Sequence, residues 1–242
     1  VLLYGLRWEV RAKVYDVTGE DSITAQIRGV WQLGGNVLRA RPKLDIDGHI
    51  PLADVNPFGM NTFLEQEVET WKRERQIELI ADAGFHWIRQ EFPWYDIEAH
   101  AKGDFEDRRN EPHRSAWEKY DHIVMSSGER GLEIIARLSS PPKWAHASGN
   151  VDGPFAPPDR YDDFGDYAAV VAERYRDKVL HYQIWNEPNI YPEWGEQSVS
   201  PEDYTELLCV GYRAVKATNP GAVVLAAALA PTVALTDRDL ND

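Results

Sequence analysis

The sequence predicts an α/β fold built on a parallel sheet. Three observations carry this: strand-like and helix-like stretches alternate from about Asn56 onward, the helical stretches begin and end on capping residues, and the strands are short apolar runs bounded by turns. Strict alternation implies right-handed crossovers between parallel strands, and so either a doubly wound sheet or a (β/α)8 barrel. Neither GxGxxG nor a P-loop follows any of these strands, which removes support from the nucleotide-binding forms.

Residues 1–55 predict a β-rich N-terminal segment. Leu6, Trp8 and Val10, then Lys13 to Val17, Ile23 to Val30 and Val37 to Ile46, read as extended runs separated by turns at Thr18-Gly19, Gly34-Gly35 and Asp47-Gly48. The main domain is expected over 56–242. Phe58 to Phe63 is its first strand, and a charged amphipathic helix from Trp71 to Ala83 is closed by Gly84. Phe85 to Phe92 is the second strand. Ser115-Ala116-Trp117-Glu118 has the form of a capping box and opens a helix on which Trp117, Tyr120, Ile123 and Val124 share a face. Gly131 ends that helix, and Leu132 to Leu138 is the third strand. Phe164, Tyr167, Ala168, Val171, Ala172 and Tyr175 recur at helical spacing, followed by strand four, Leu180 to Trp185. Ser200-Pro201-Glu202-Asp203 supplies an N-cap, a proline at the first helical position and acids in the first turn of a helix that Asn219-Pro220-Gly221 stops. Ala222 to Ala230 is a fifth, almost wholly apolar strand, and Thr236 to Asp242 is polar.

Composition narrows the partners. The 242 residues carry 26 Lys+Arg against 40 Asp+Glu, a net charge of −14 that repels phosphate backbones, so nucleic acid is not an expected partner. No run approaches the roughly 18–20 apolar residues of a membrane span, so no membrane partner is expected, and the charged start VLLYGLRWEV is unlike a signal peptide. The single cysteine, Cys209, leaves no internal disulfide, and the seven histidines show no metal-ligand spacing. Nine tryptophans suit either a core or platforms that stack on sugar rings. The chain does not begin on Met, which fits a processed or trimmed piece of something longer.

The chemistry concentrates in Gln183-Ile184-Trp185-Asn186-Glu187-Pro188-Asn189, at the end of strand four. In a barrel, the C-terminal ends of the strands build the active site. Pro188 biases Glu187 away from the helical region and is expected to hold it extended, its carboxyl projecting past the strand end. Trp185 and Tyr182 are expected to desolvate that carboxyl and raise its pKa, which an acid that must keep its proton requires. The plainer alternative is an Asn-Glu-Pro turn that closes a strand with a solvated glutamate.

WNEPN after a strand resembles the acid/base motif of retaining glycoside hydrolases of the large (β/α)8 clan, and the detailed run most resembles glycoside hydrolase family 39 and its relatives. The likeness extends over Gly84-Phe85-His86-Trp87-Ile88-Arg89 with Pro93-Trp94 and Asp96-Ile97-Glu98, Trp117 with Tyr120-Asp121, Ser140-Pro141-Pro142-Lys143-Trp144-Ala145, and Tyr204-Thr205-Glu206-Leu207-Leu208 through Asn219-Pro220. It implies an incomplete (β/α)8 TIM barrel, about strands one to five, behind the β-rich segment. It also implies that Glu187 is the general acid/base, that Asn186 hydrogen-bonds the sugar 2-hydroxyl, and that Arg89 orients the nucleophile and lowers its pKa. Arg89 otherwise reads as an internal ion pair.

Trp94, Trp144, Tyr191 and Trp194 all follow strands and are candidate sugar platforms, or else pack beneath loops. Glu91 is a candidate for binding hydroxyls and the one other in-chain carboxylate to weigh as a catalytic partner; His146 is a weaker candidate for substrate contact. A retaining mechanism needs a second carboxylate about 5–5.5 Å from the acid/base. The resemblance places it after strand seven, beyond Asp242, so this segment is expected to be inactive by itself and to partner the remainder of the barrel from the same longer protein. No metal or organic cofactor is implied, and extracellular polysaccharide breakdown fits an acidic glycosidase. The alternative function is a non-catalytic carbohydrate-binding or assembly module on a degenerate barrel.

Overall fold

The computed structural model describes residues 2–39, 55–147, 155–232, 236 and 238–240. The chain divides into two compact units, Val1–Ala53 and Asp54–Asp242.

The described part of the N-terminal unit is helical, which corrects the β-rich expectation there. It consists of α1 (Leu2–Thr18) and α2 (Ile23–Leu38). Ile23, Ile27, Val30, Trp31 and Leu38 fall along one stripe of α2 at helical spacing. β-branched and aromatic residues alone suggested strands; spacing and capping decide otherwise, since the Ser22 side chain accepts from the Ala25 amide at 3.2 Å. The expected strand residues past Arg39 and the Asp47-Gly48 turn lie outside the described residues.

In the second unit, β1 (Gly59–Thr62) leads through a short 3-10 turn at Leu64–Gln66 to α3 (Thr70–Asp82). Then come β2 (Trp87–Pro93), a single helical turn α4 (Trp94–Ile97), the two-residue strands β3 (Glu106–Asp107) and β4 (Arg114–Ser115), and α5 (Glu118–Glu129). β5 (Glu133–Ser139), α6 (Tyr161–Arg174), β6 (His181–Ile184), α7 (Pro201–Thr218) and β7 (Val223–Ala226) complete it. The turns that close α3 and α5 require a left-handed residue, and Gly84 (φ 82°) and Gly131 (φ 71°) supply it. Ser200 caps α7 as its sequence predicts, accepting from Asp203 N at 3.1 Å. Ser115 does not cap α5: it belongs to β4, and Trp117 occupies the cap position without a side-chain hydrogen bond. The Ser115 hydroxyl oxygen instead accepts from Trp117 N, two residues on, at 3.3 Å.

All five strands of the main sheet are parallel, in the order β1-β2-β5-β6-β7. Each strand pairs with the one before it in that series, with no reversal of order. A doubly wound sheet must reverse, whereas a barrel never does, so these are five strands of a (β/α)8 barrel. One face is apolar: Ile88 and Phe92 of β2, Ile134 and Leu138 of β5, and Tyr182 and Ile184 of β6 are buried against the helices. Successive side chains point to opposite faces, so Arg89, Glu91, Arg137 and Gln183 occupy the other, inner face. Among the described residues, no helix is long and apolar enough to cross a membrane.

The fifth strand is shorter than its apolar run of Ala222 to Ala230. Past Ala226 the backbone is claimed by side chains and by the neighbouring loop. Ala227 N donates to the Tyr204 hydroxyl at 2.6 Å, Ala228 O accepts from Glu187 N at 3.2 Å, and Ala230 exchanges two bonds with the Asn189 amide at 2.8 and 2.9 Å.

Candidate active site

The site is the polar inner layer where β2, β5 and β6 end. Register places Glu91 opposite Arg137, and Arg137 opposite Gln183, in one row across three strands. Arg89, one pleat lower, reaches across β5: its Nε donates to Gln183 Oε1 at 2.7 Å and its Nη2 to Asn186 Oδ1 at 2.7 Å. A planar guanidinium can hold two acceptors at once in fixed directions, and here it ties β2 to the end of β6. Gln183 Nε2 in turn donates to Trp185 O at 2.8 Å, which braces the turn leaving the strand.

That turn is the unusual backbone of the molecule. Trp185 has φ 72° and Glu187 φ 37°, both left-handed, and Ser140 at the end of β5 has φ 62°. Non-glycine residues in that region cost of order 1–3 kcal/mol each and persist only where the surroundings over-determine them. The extended conformation expected for Glu187 is therefore corrected. Pro188 disfavours the right-handed helical region, but capture of the Glu187 amide by Ala228 O at 3.2 Å, with Ile190 N donating to Glu187 O at 3.2 Å, sets the turn. Glu187 is half-buried at the C-terminal end of β6, and Asn186 beside it is buried.

The desolvating rings expected around Glu187 are committed elsewhere. Tyr182 is fully buried on the helix side and donates to Val179 O at 3.0 Å. Trp185, turned by its positive φ, packs against Phe164 of α6 at 6.1 Å and Trp194 at 5.6 Å between centroids. Two candidate sugar platforms are likewise core residues. Trp94 is 0% exposed, stacked on Tyr167 at 5.4 Å with 16° between planes. Trp194 is 1% exposed, between Trp185 and Tyr204. Both were candidates because they follow strands, but rings this large at a strand end close the core whenever a helix lies within reach. Trp144 is half-buried, edge-on to Trp94 at 5.3 Å, and donates to Glu98 O at 2.7 Å. Tyr191 is the exposed candidate, with Arg238 over its ring at 4.8 Å and its hydroxyl 3.0 Å from Glu196. His146 is buried in the loop after β5, 3.9 Å from Asp159.

Glu91 is held from several sides. Arg137 pairs with its Oε2, while Ser139 and Ser140 hydroxyls donate to its Oε1 at 3.0 Å each. Arg137 and Glu193 are members of this layer that sequence reasoning missed. Arg137 carries no local signal beyond its strand parity. Glu193 has none, since only folding of the loop after β6 brings it back towards Asn186. Burial is the foremost effect on Glu193 and pushes its carboxyl above the ordinary range, with Glu187 and Glu91 adding to the push against Asn186 and Arg137. Burial also draws Arg89 below its usual value, helped by Arg137 and opposed by Glu187, Glu91 and Glu193. The layer thus sets two arginines among three carboxylates. Among the described residues, no cluster of His, Cys, Asp and Glu is arranged to hold a metal ion.

Comparison with solved structures reproduces this architecture. A family 39 glycoside hydrolase from Bacteroides cellulosilyticus is 23% identical with a TM-score of 0.51, over 69% of this chain and 30% of that one. A family 39 β-xylosidase from Caulobacter crescentus is 18% identical with a TM-score of 0.52, over 69% and 38%. An exo-β-1,4-mannosidase from an Opitutaceae bacterium is 19% identical with a TM-score of 0.52, over 69% and 31%. The matched region spans less than two fifths of the length of these three structures. No curated protein matches the chain. The family 39 likeness carried by the WNEPN run thus has its counterpart in the fold of solved structures, while the family model that matches is described as cellulase, glycosyl hydrolase family 5, over residues 50–228. That match takes in all five strands and the whole polar layer, and the chain belongs to this glycosyl hydrolase family.

Proposed function

We propose that the protein is a retaining glycosidase that cleaves O-glycosidic bonds in oligo- or polysaccharides, with Glu187 as general acid/base and its nucleophile in chain beyond this segment. The observation that carries this is the end of β6, where a strained turn places Glu187 next to an Asn186 fixed by the Arg89 guanidinium at 2.7 Å. Glu187 protonates the leaving oxygen as the nucleophile attacks the anomeric carbon, and then takes the proton from the water that releases the sugar. Asn186 binds the 2-hydroxyl, and Arg89, fixed at the centre of the layer, offers its charge to the incoming carboxylate. The names of the similar structures make β-linked xylosides and mannosides the first substrates to assay. A carbohydrate-binding role has less support, because Trp94 and Trp194 are spent in the core.

Replacing Glu187 with Gln in the complete protein should lower turnover of glycosides with poor leaving groups by about 10²–10⁴. Azide should partly restore release from activated aryl glycosides. Unchanged turnover in E187Q would remove the assignment.

A further inference from the structure

Beyond the last rung of their ladder, Ile184 opposite Ala226, β6 and β7 part, and side chains close the seam between them. The Tyr204 hydroxyl donates to Ile184 O at 3.1 Å and accepts from Ala227 N at 2.6 Å. Glu187 N then donates to Ala228 O at 3.2 Å. Two residues further along each chain, the buried Asn189 side chain stands in for a peptide group. Its Oδ1 accepts from Ala230 N at 2.8 Å, and its Nδ2 donates to Ala230 O at 2.9 Å. Nδ2 also donates to Leu240 O at 3.0 Å, while Leu240 N donates to Asn189 O at 2.8 Å. A primary amide has two N–H donors and one oxygen, so one donor facing the oxygen and two carbonyls facing the nitrogen fix a single flip state.

This seam bears on Glu187. Its left-handed φ of 37° is a conformation that the surroundings must impose, and its own amide makes only one bond across the seam, to Ala228 O. That acceptor is itself held between two anchors, Tyr204 at Ala227 and Asn189 at Ala230. We propose, resting on the glycosidase reading of this site, that Asn189 is a positioning residue that clamps the acid/base turn onto the chain after β7 and so aims the Glu187 carboxyl at the leaving oxygen. Without the clamp the turn pivots about the single Glu187–Ala228 bond. An aspartate at this position keeps the acceptor for Ala230 N but sets an oxygen against two carbonyl oxygens, so it restores only part of the clamp.

Misaimed proton transfer has a signature. A leaving group that departs as a stable anion needs no proton, whereas a poor one does, so the loss must grow as the leaving group worsens. The test measures kcat/KM of N189A, N189D and E187Q in the complete protein, on a phenyl β-glycoside and on the matching 2,4-dinitrophenyl β-glycoside, well below the melting temperature of each variant. N189A is expected to lose about tenfold to hundredfold on the phenyl glycoside and to stay within about threefold of the parent on the dinitrophenyl one. N189D should show the same bias with a smaller loss, and it carries the test if N189A does not fold. An equal loss on both glycosides, as general loosening of the fold gives, or parent-like values on both, would overturn the proposal. E187Q separates the two levels. Full activity of E187Q on the phenyl glycoside defeats the glycosidase reading and this proposal with it, whereas an impaired E187Q beside an unaffected N189A defeats this proposal alone.

Discussion

Arg89 and Arg137 share one polar layer with Glu91, Glu187 and Glu193, and this crowding decides what each side chain can do. Arg89 satisfies Gln183 and Asn186 through two nitrogens of one rigid plane. Lysine offers a point charge that cannot hold both acceptors in those directions, so on the proposed glycosidase reading R89K in the complete protein should lose about tenfold to hundredfold in kcat/KM while the charge is kept. Steady-state kinetics beside a melting curve checks this, and wild-type kinetics in R89K would show that charge alone suffices. The aromatics divide by burial. W94A should cost about 3–5 kcal/mol in urea unfolding, because a fully buried ring stacked on Tyr167 is lost. Y191A, at an exposed site, should leave stability within about 0.5 kcal/mol of the parent. Equal losses would contradict the assignment of Trp94 to the core and Tyr191 to the surface.

At the scale of elements, β1 is a four-residue edge strand whose register depends on a close approach. A Cβ on Gly59 would meet Trp87 Cβ at 2.8 Å and Trp87 O at 3.0 Å, and neither atom is the end of a flexible side chain. G59A should therefore destabilise by about 1–3 kcal/mol, with hydrogen exchange rising first in β1. Unchanged protection of β1 amides would refute that. The β3–β4 pair is held by charge. Arg109 bonds Asp107 at 2.8 Å and Asp96 at 2.6 Å, and Asp96 also pairs with Lys119 at 2.7 Å. Foremost because Arg109 donates to it, the Asp107 carboxyl falls from the ordinary 3.8 to about 2. A carboxyl held lower in the folded state takes up its proton later than in the unfolded chain, so falling pH favours unfolding between those two values. The stabilisation is complete above about pH 4 and is lost as pH drops through about 2. Thermal melts of D107N across that window should show a flatter acid dependence than the parent, and identical curves would deny Asp107 this role.

Over the whole molecule, the dominant fact is two open sheet edges. β1 and β7 each pair on one side among the described residues. Phe58, Met60 and Phe63 near β1, and Val223 and Leu229 near β7, are exposed. Beside β1 lies a recess of about 360 Å³ lined by Met60, Thr62, Phe63, Leu79 and Ile80. Unpaired strands flanked by apolar side chains recruit other strands, and in the proposed full barrel they would receive the remaining β/α units. The 242-residue chain expressed by itself should self-associate in sedimentation velocity despite its net charge of −14. A monodisperse monomer at high concentration would mean that the edges are protected by another route.

What the sequence by itself determined is local. Gly84 and Gly131 at helix ends, Ser200 before α7, and the apolar spacing of α6 were legible because each rests on interactions within a few residues. The WNEPN run at the end of β6 was legible for a related reason: a strand end followed by polar residues and a proline is a local pattern. The N-terminal helices were misread because β-branched composition outweighed their helical spacing, and the cap at Ser115 because that residue ends in strand β4 with its hydroxyl turned to Trp117 N. Only the tertiary structure decided that Trp94 and Trp194 close the core, that Glu187 sits in a left-handed turn fixed by Ala228, and that Arg137 and Glu193 join the site. Those outcomes depend on which groups from distant strands arrive at the same point, and burial, charge balance and backbone satisfaction there are properties of the assembled sheet.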